Sequence, residues 1–326
     1  MRLDEINLQK QIGNTIEISG IIVDIEIKES TRGAYSVITL VAGTSKAKLK
    51  WWKRSFTADE VSRSKGSCVR CTVKVDEYNG SPSLIITSWT KETELTADDL
   101  LPCDRDSENT KIRWQALMYG FRDTDGFLAT FTRFVFKNCF EYFMRQPAAI
   151  SVHHNFRGGL LLHTVEVTEL ALGLAGACRE RLDMDLVRAG ALLHDIGKLE
   201  EFSIDVVTGE IKYTVKGSLL SHFVLGNDYL RDTYLEFALD YRNLTTAELE
   251  QFLLLRHIVL SHHGKLEMGA VVTPATLEAK YVHLADMASC DAYRTTVNTQ
   301  NIEDGSVNAV WEFGSMGNYY KRVGGK

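Results

Sequence analysis

Between Asn14 and Thr90 apolar residues recur at every second position or in short β-branched runs; from Lys111 onward they recur every three to four residues. The first pattern predicts strands and the second helices, because side chains alternate across a strand and return to one helix face after about 3.6 residues. The expected strands are Asn14 to Glu26, Tyr35 to Val41, Ser45 to Trp52, Ser67 to Val75 and Ser83 to Thr90. Turn residues separate them at Thr31-Arg32-Gly33, Ala42-Gly43-Thr44 and Tyr78-Asn79-Gly80. Thr57 to Arg63 has a short helical pattern between the third and fourth strands.

Five strands with a helix after the third is the order of an OB-fold β-barrel. The polar, acidic, Pro-containing stretch TADDLLPCDRDSEN then reads as a linker. In the helical half, Trp114, Leu117, Met118 and Phe121 lie on one face, and Phe127 to Met144 forms an aromatic-rich core helix that Pro147 ends. Leu160 onward predicts a long apolar helix, followed by helices over Asp185 to Ile196 and Ser218 to Asp240, with a hairpin at Phe202 to Thr214 around Thr208-Gly209. Thr245 and Glu248 are spaced as a capping box that opens a helix reaching His257, His262 and His263. Pro274 begins the last long helix, and the Gly-rich tail from Asn298 is loosely patterned. The expected organisation is an α+β multidomain chain: a five-stranded OB-fold over 1–95, a linker over 96–110, an all-α domain over 111–300 and a tail over 301–326.

Composition narrows the class. With 326 residues, 44% hydrophobic and 25% charged, the chain can bury two cores. No apolar run approaches the ~20 residues of a membrane span, and the N-terminus lacks a signal-peptide core. The six scattered cysteines form no disulfide framework, so a cytoplasmic protein is expected. Cys68 and Cys71 are read as strand residues, because that half of the chain supplies no histidine to complete a zinc knuckle. Residues 1–95 carry 14 Lys/Arg against 12 Asp/Glu, the remainder 23 against 31, so a mildly basic module precedes an acidic one. In the third strand Lys46, Lys48 and Lys50 share a face opposite Ala47, Leu49 and Trp51; Lys53 and Arg54 extend the run, and Tyr35, Trp52 and Tyr78 are near in sequence. Phosphates require positive charge and unpaired bases require flat rings, so Lys46, Lys48, Lys50, Trp52 and Tyr35 are the expected contacts to single-stranded nucleic acid.

All nine histidines lie between His153 and His283. Helices carrying His163, the His194-Asp195 pair, His222, His262-His263 and Asp286 can converge on one cavity. Imidazoles mixed with carboxylates suit a divalent ion such as Mn²⁺, Fe²⁺ or Zn²⁺, with Ni²⁺ and Co²⁺ as further candidates. So many donors exceed one ion's needs, which predicts two ions bridged by Asp195, an arrangement that activates water and stabilises in-line phosphoryl displacement. Lys198, three residues after Asp195, supplies a cation for a phosphate oxygen.

This order resembles the HD phosphohydrolase superfamily, whose motif is H…HD…D. The phrases HHNFRGGLLLHT, LLHDIGK, LLRHIVLSHHGKLEMG and HLAD resemble the YhaM-type 3′-to-5′ exoribonucleases, in which an OB-fold precedes the HD domain. The resemblance covers nearly the whole chain, although Lys50-Trp51-Trp52-Lys53 departs from the Leu-Trp-Asp that often ends that strand. It implies His163, His194, Asp195 and Asp286 around one metal, and Asp195, His222 and His262 around a second, with His263 a further ligand. Asp195 and Lys198 are the implied catalytic pair, and His153, His154 and Arg157 the candidate substrate contacts. His257 is left structural, His283 is a supporting or packed residue, Glu267 is unassigned and Asp291 is a surface residue or cap. The implied activity removes nucleotides from the 3′ end of single-stranded RNA, and of single-stranded DNA as an extension. The alternatives are an HD-type hydrolase of small nucleotides (a dNTP, a nucleoside monophosphate or a cyclic nucleotide) and a non-catalytic nucleic-acid-binding protein.

Overall fold

The fold is taken from a computed structural model that describes residues 3, 6–31, 33–43, 45–52, 63–101, 103–104, 106–150, 153–177, 182–205, 210–240, 244–300, 302–312 and 315–323. The chain divides into two units, one built on Met1–Cys103 (with Ile204–Glu210 counted to it), the other on Asp104–Ser203 and Ile211–Lys326.

The first unit is a closed barrel of β1 (Thr15–Ser30), β2 (Gly33–Ala42), β3 (Ser45–Trp51), β4 (Cys68–Tyr78) and β5 (Ser81–Lys91), hydrogen-bonded in the order β1-β2-β3-β5-β4. This is the expected OB arrangement. β1 runs four residues past the Glu26 at which its alternation indicated an end, because it serves two neighbours: Thr15 to Ile21 pairs with β4 and Ile21 to Ser30 with β2, across an irregularity between Ile22 and Asp24. Ile18, Ile21, Ile38, Leu49, Val73 and Ile86 fill the interior. The helix expected over Thr57 to Arg63 and the basic residues Lys53 and Arg54 lie outside the described residues, apart from Arg63 itself. Cys68 and Cys71 are strand residues of β4, and Cys71 is buried. Glu92 is a buried acid at the barrel's edge: it accepts from the buried Ser19 and from Arg70 at 2.9 Å, and the Arg70 guanidinium holds its carboxyl down at about 2. In the stretch after the barrel, the helix α1 (Ala97–Leu100) leads Leu100 and Leu101 into the barrel core.

The second unit is helical: α2 (Ser107–Tyr119), α3 (Phe127–Phe143), α4 (Gly159–Gly176), α5 (Met184–Leu193), α6 (Lys198–Glu201), α7 (Val215–Asp240), α8 (Thr246–Ser261) and α9 (Leu277–Gln300). Phe127, Phe131, Phe237 and Phe252 meet edge-to-face or offset within about 6 Å and tie α3, α7 and α8 together. Thr245 and Glu248 form the capping box their spacing predicts. α4 has a mean hydropathy of 1.2 over 18 residues, enough by composition to cross a membrane, but most of it is buried in this unit and it is a core helix.

Two expectations are corrected here. The helix read as continuous over Ser218 to Asp240 breaks at Ser221, whose φ of 60° and ψ of 156° lie outside helical space. The loosely patterned tail holds regular structure: β8 (Val307–Glu312) and β9 (Ser315–Tyr320) pair as an antiparallel hairpin. The hairpin β6 (Phe202–Ile204) and β7 (Ile211–Tyr213) forms as expected, with its Thr208-Gly209 turn outside the described residues.

Candidate metal centre

Most donor side chains arrive at or near the ends of helices, where the backbone can turn them inward. His163 sits in the first turns of α4, behind Gly158 and Gly159. A side chain at Gly159 would place its Cβ 1.9 Å from the His154 carbonyl, so this glycine lets the preceding loop fold against the helix. His194 and Asp195 close α5, Lys198 opens α6, His222 follows the Ser221 break, His262 caps α8, and Asp286 stands mid-way along α9.

Asp195 is the hub. Its Oδ2 lies 3.5 Å from His163 Nε2, 3.2 Å from His194 Nε2 and 2.6 Å from Lys198 Nζ. Its Oδ1 faces the other way, 3.5 Å from His262 Nε2 and 3.8 Å from His222 Nε2. Asp286 spans the same gap, with Oδ1 3.2 Å from His163 Nε2 and Oδ2 4.0 Å from His263 Nε2. The ligand atoms of His163, His194 and Asp195 form one compact group, and those of His222, His262 and His263 a second. Except for His263, these residues are buried.

The imidazoles are fixed for ligation. His194 Nδ1 is 2.7 Å from the Ala191 carbonyl, His262 Nδ1 2.7 Å from that of Val259, and His263 Nδ1 2.8 Å from that of Met268. A carbonyl only accepts, so each Nδ1 carries a proton and, in the neutral ring that a metal binds, Nε2 keeps the lone pair. His222 Nδ1 donates to the buried Glu201 carboxylate, which also accepts the His222 backbone N–H. His163 Nδ1 donates to Ser289 Oγ at 3.1 Å, and that hydroxyl donates to Glu166 at 2.7 Å. Supporting acceptors of this kind set ring orientation and ligand basicity.

Burial takes His163 down to about 4 and His262 to about 3, so both are neutral near pH 7. His194 is burdened by the same burial, but the adjacent Asp195 outweighs it and raises the ring. Burial would also raise Asp195 and Asp286, yet Lys198 and His194 hold the first, and His163 the second, well below the usual carboxylate range.

Three buried atoms of this cluster make no hydrogen bond among the described residues: Asp195 Oδ1, His222 Nε2 and His262 Nε2. All are lone-pair donors aimed at one another, an arrangement costly to bury unless a cation satisfies it. The residues therefore fit divalent metal.

His154 departs from expectation. It is buried at 1% exposure, its Nε2 is 3.2 Å from Glu166 and its ring lies against Tyr293, so it supports the site and has no face open to a nucleotide. His153 is half-buried beside His163, and Arg157 lies on the same loop with its carbonyl accepting the Asp104 N–H. His257 accepts the Ala275 N–H and stays out of the cluster, whereas His283 donates to the His262 carbonyl and so buttresses it. Glu267 is an exposed residue of a short 3-10 turn, and Asp291 an exposed partner of Arg294. Glu166, Glu201 and Ser289 were missed, although each follows a singled-out residue by three positions: His163, Lys198 and Asp286.

Gly197 of the His-Asp-Ile-Gly-Lys stretch carries a separate constraint. A Cβ there would sit 2.0 Å from the His222 carbonyl and 2.5 Å from the Gly226 nitrogen. Gly197→Ala is expected to cost at least about 2 kcal/mol of stability and to weaken metal binding by displacing His222. Thermal melts with and without Mn²⁺ check this, and a variant with unchanged stability and metal affinity would refute it.

In the barrel, Lys46 and Lys48 are exposed on β3, with Lys48 3.2 Å from Glu26. Lys50 lies over the Tyr78 ring at 5.3 Å, and Tyr35 stacks on Trp52 at 4.2 Å. The anticipated alternation holds, with Ala47 and Leu49 buried on the opposite face.

Comparison with known proteins agrees with this geometry. The HD domain family matches residues 160–289. The 3′-5′ exoribonuclease YhaM of Bacillus subtilis is 33% identical over 271 residues, covering 80% of this chain and 81% of that protein. The proteins of the same name from Bacillus velezensis and Halalkalibacterium halodurans are 32% and 30% identical, the latter over 86% of this chain and 84% of its own length. With an OB-type barrel ahead of an HD domain, and identity at this level along four fifths of its length, the chain belongs to the YhaM family of 3′-5′ exoribonucleases.

Proposed function

We propose that this chain hydrolyses the 3′-terminal phosphodiester of single-stranded RNA, releasing nucleotides in succession, and that it uses two divalent ions to do so. The observation that carries this reading is the division of Asp195 between two donor groups, with its Oδ1 and two facing imidazole nitrogens buried and unsatisfied. His163, His194, Asp195 and Asp286 would hold one ion; Asp195, His222 and His262, with His263 alongside, would hold the other. When bound, such ions activate water and neutralise charge on the phosphoryl group; Mn²⁺ is the first choice, with Fe²⁺, Zn²⁺, Co²⁺ and Ni²⁺ as alternatives.

The chain's own groups do the rest. Lys198 neutralises Asp195 at 2.6 Å and, from that position, offers a fixed ammonium to a non-bridging phosphate oxygen. Glu201, Ser289 and three backbone carbonyls keep the rings from turning. With His154 buried, Arg157 and the half-buried His153 remain as candidates on the loop before α4 for the terminal nucleotide's phosphate. The barrel would take the strand on Lys46, Lys48 and Lys50 with Tyr35 and Trp52 as stacking surfaces.

Replacing Lys46, Lys48 and Lys50 together with Ala is expected to weaken RNA binding and to flatten the slope of log K against log salt by about 2, as each phosphate contact on a single strand contributes roughly 0.7. Fluorescence anisotropy across a salt series measures both, and unchanged affinity would move the RNA path off this face. The activity itself is tested with 5′-labelled single-stranded RNA and Mn²⁺, against a chelator control. A ladder shortening from the 3′ end supports the proposal. Hydrolysis of mononucleotides with the polymer left intact would replace it by the small-nucleotide reading.

A further inference from the structure

The loop ahead of α4 and one face of α9 bring two more donors to the first group. His153, His163 and Cys290 each offer a ligand atom, and the three atoms lie within 4.8 Å of one another. The His153 and His163 rings are 4.8 Å apart between centroids. Cys290 follows Asp286 by four residues, so both project from the same face of α9, and its Sγ is 3.7 Å from Asp286 Oδ1. That oxygen is the one 3.2 Å from His163 Nε2.

His163 cannot serve two ions. Ser289 spends its only hydroxyl proton on Glu166, so His163 Nδ1 must be the donor to Ser289, and Nε2 is the single lone pair left. The group His153–His163–Cys290 and the group His163–His194–Asp195 therefore surround one cation position. Resting on the metal-centre reading above, we infer that His153 and Cys290 are further ligands of the ion held at His163. As that ion enters, the Cys290 S–H bond breaks, the proton passes to solvent, and an Sγ–metal bond replaces one water of the ion's hydration shell, with no change of oxidation state. A thiolate and an extra imidazole make this position softer than the His222–His262–His263 position, which has no sulfur within its group. Mn²⁺ still fills both positions at saturation, but the His163 position favours Zn²⁺, Fe²⁺ or Co²⁺ over Mn²⁺ more strongly than the other does.

Cobalt is the probe for the test. The full chain, stripped with a chelator, is titrated with Co²⁺ and followed by absorption. The expected spectrum combines visible d–d bands with a near-ultraviolet sulfur-to-cobalt band. Cys290→Ser keeps the visible bands and loses the near-ultraviolet band, Cys139→Ser keeps both, and His153→Ala weakens Co²⁺ binding by at least about tenfold. Protection of Cys290 from iodoacetamide by bound Co²⁺ reads the same bond without any variant. Visible bands with no sulfur band in the unmodified chain, a sulfur band that survives Cys290→Ser, or an unprotected thiol would overturn the sulfur ligand and leave the metal centre standing. Unchanged Co²⁺ affinity in His153→Ala would remove His153 from the set. No Co²⁺ binding at all would overturn the metal-centre reading, and this inference with it.

Discussion

Asp195→Asn is expected to lower RNA hydrolysis by at least about 10³-fold, or ~4 kcal/mol in the barrier, with RNA affinity changed less than about twofold. The substitution keeps the side chain's shape but removes the negative charge on which both donor groups converge, at 3.2 Å from His194 on one side and 3.5 Å from His262 on the other. An amide in that place offers one acceptor oxygen where the carboxylate offers two, so it cannot bridge. The lysines and rings assigned to strand binding belong to the barrel and are untouched. Steady-state rates on labelled RNA, with anisotropy for binding, separate the two quantities; a variant within tenfold of full activity would remove Asp195 from the centre.

Lys198→Met should produce the largest loss of stability, and one that metal partly restores. Lys198 is only 5% exposed and its ammonium is 2.6 Å from Asp195. Removing one member of a buried pair leaves the other charge uncompensated, a loss of about 3 kcal/mol or more in the metal-free protein. Divalent ions supply positive charge at the same carboxylates, so the gap in melting temperature between variant and parent should narrow when Mn²⁺ is added. Activity should remain about 10²-fold down at saturating Mn²⁺, because no ion occupies the ammonium's own place beside the phosphate. A melting gap that is small without metal, or that metal does not reduce, would contradict this account of the charge balance.

The parts legible in the sequence are those whose physics is local or whose residue type is rare. Barrel strands alternate, and Lys46 to Trp51 could be split between two faces on that basis alone. Histidines confined to one stretch marked the chemistry, because few structural roles require that many imidazoles together. The less legible parts depend on tertiary contact. Ser221 sits inside an unbroken helical pattern; its φ of 60° goes with the close approach of Gly197 to the next residue's carbonyl, which no pattern within the helix reveals. The resemblance implies His154 as a substrate contact ahead of the first ligand helix, but the close approach at Gly159 and the contact with Glu166 bury it. Glu166 and Ser289 are common residue types on helix surfaces and Cys290 is one of six scattered cysteines, so only the fold shows that they face the histidines. The tail hairpin is carried by mixed polar and aromatic strands whose alternation is too weak to read.

Counting ions tests the central claim most directly. Metal-free protein is equilibrated with Mn²⁺, and bound ions are measured by dialysis together with the electron paramagnetic resonance spectrum. Two donor groups joined by Asp195 require two ions per chain at saturation and the spectrum of a spin-coupled pair, both lost in Asp195→Asn. One ion per chain with an isolated Mn²⁺ signal would contradict the bridged centre and, with it, the mechanism built on it.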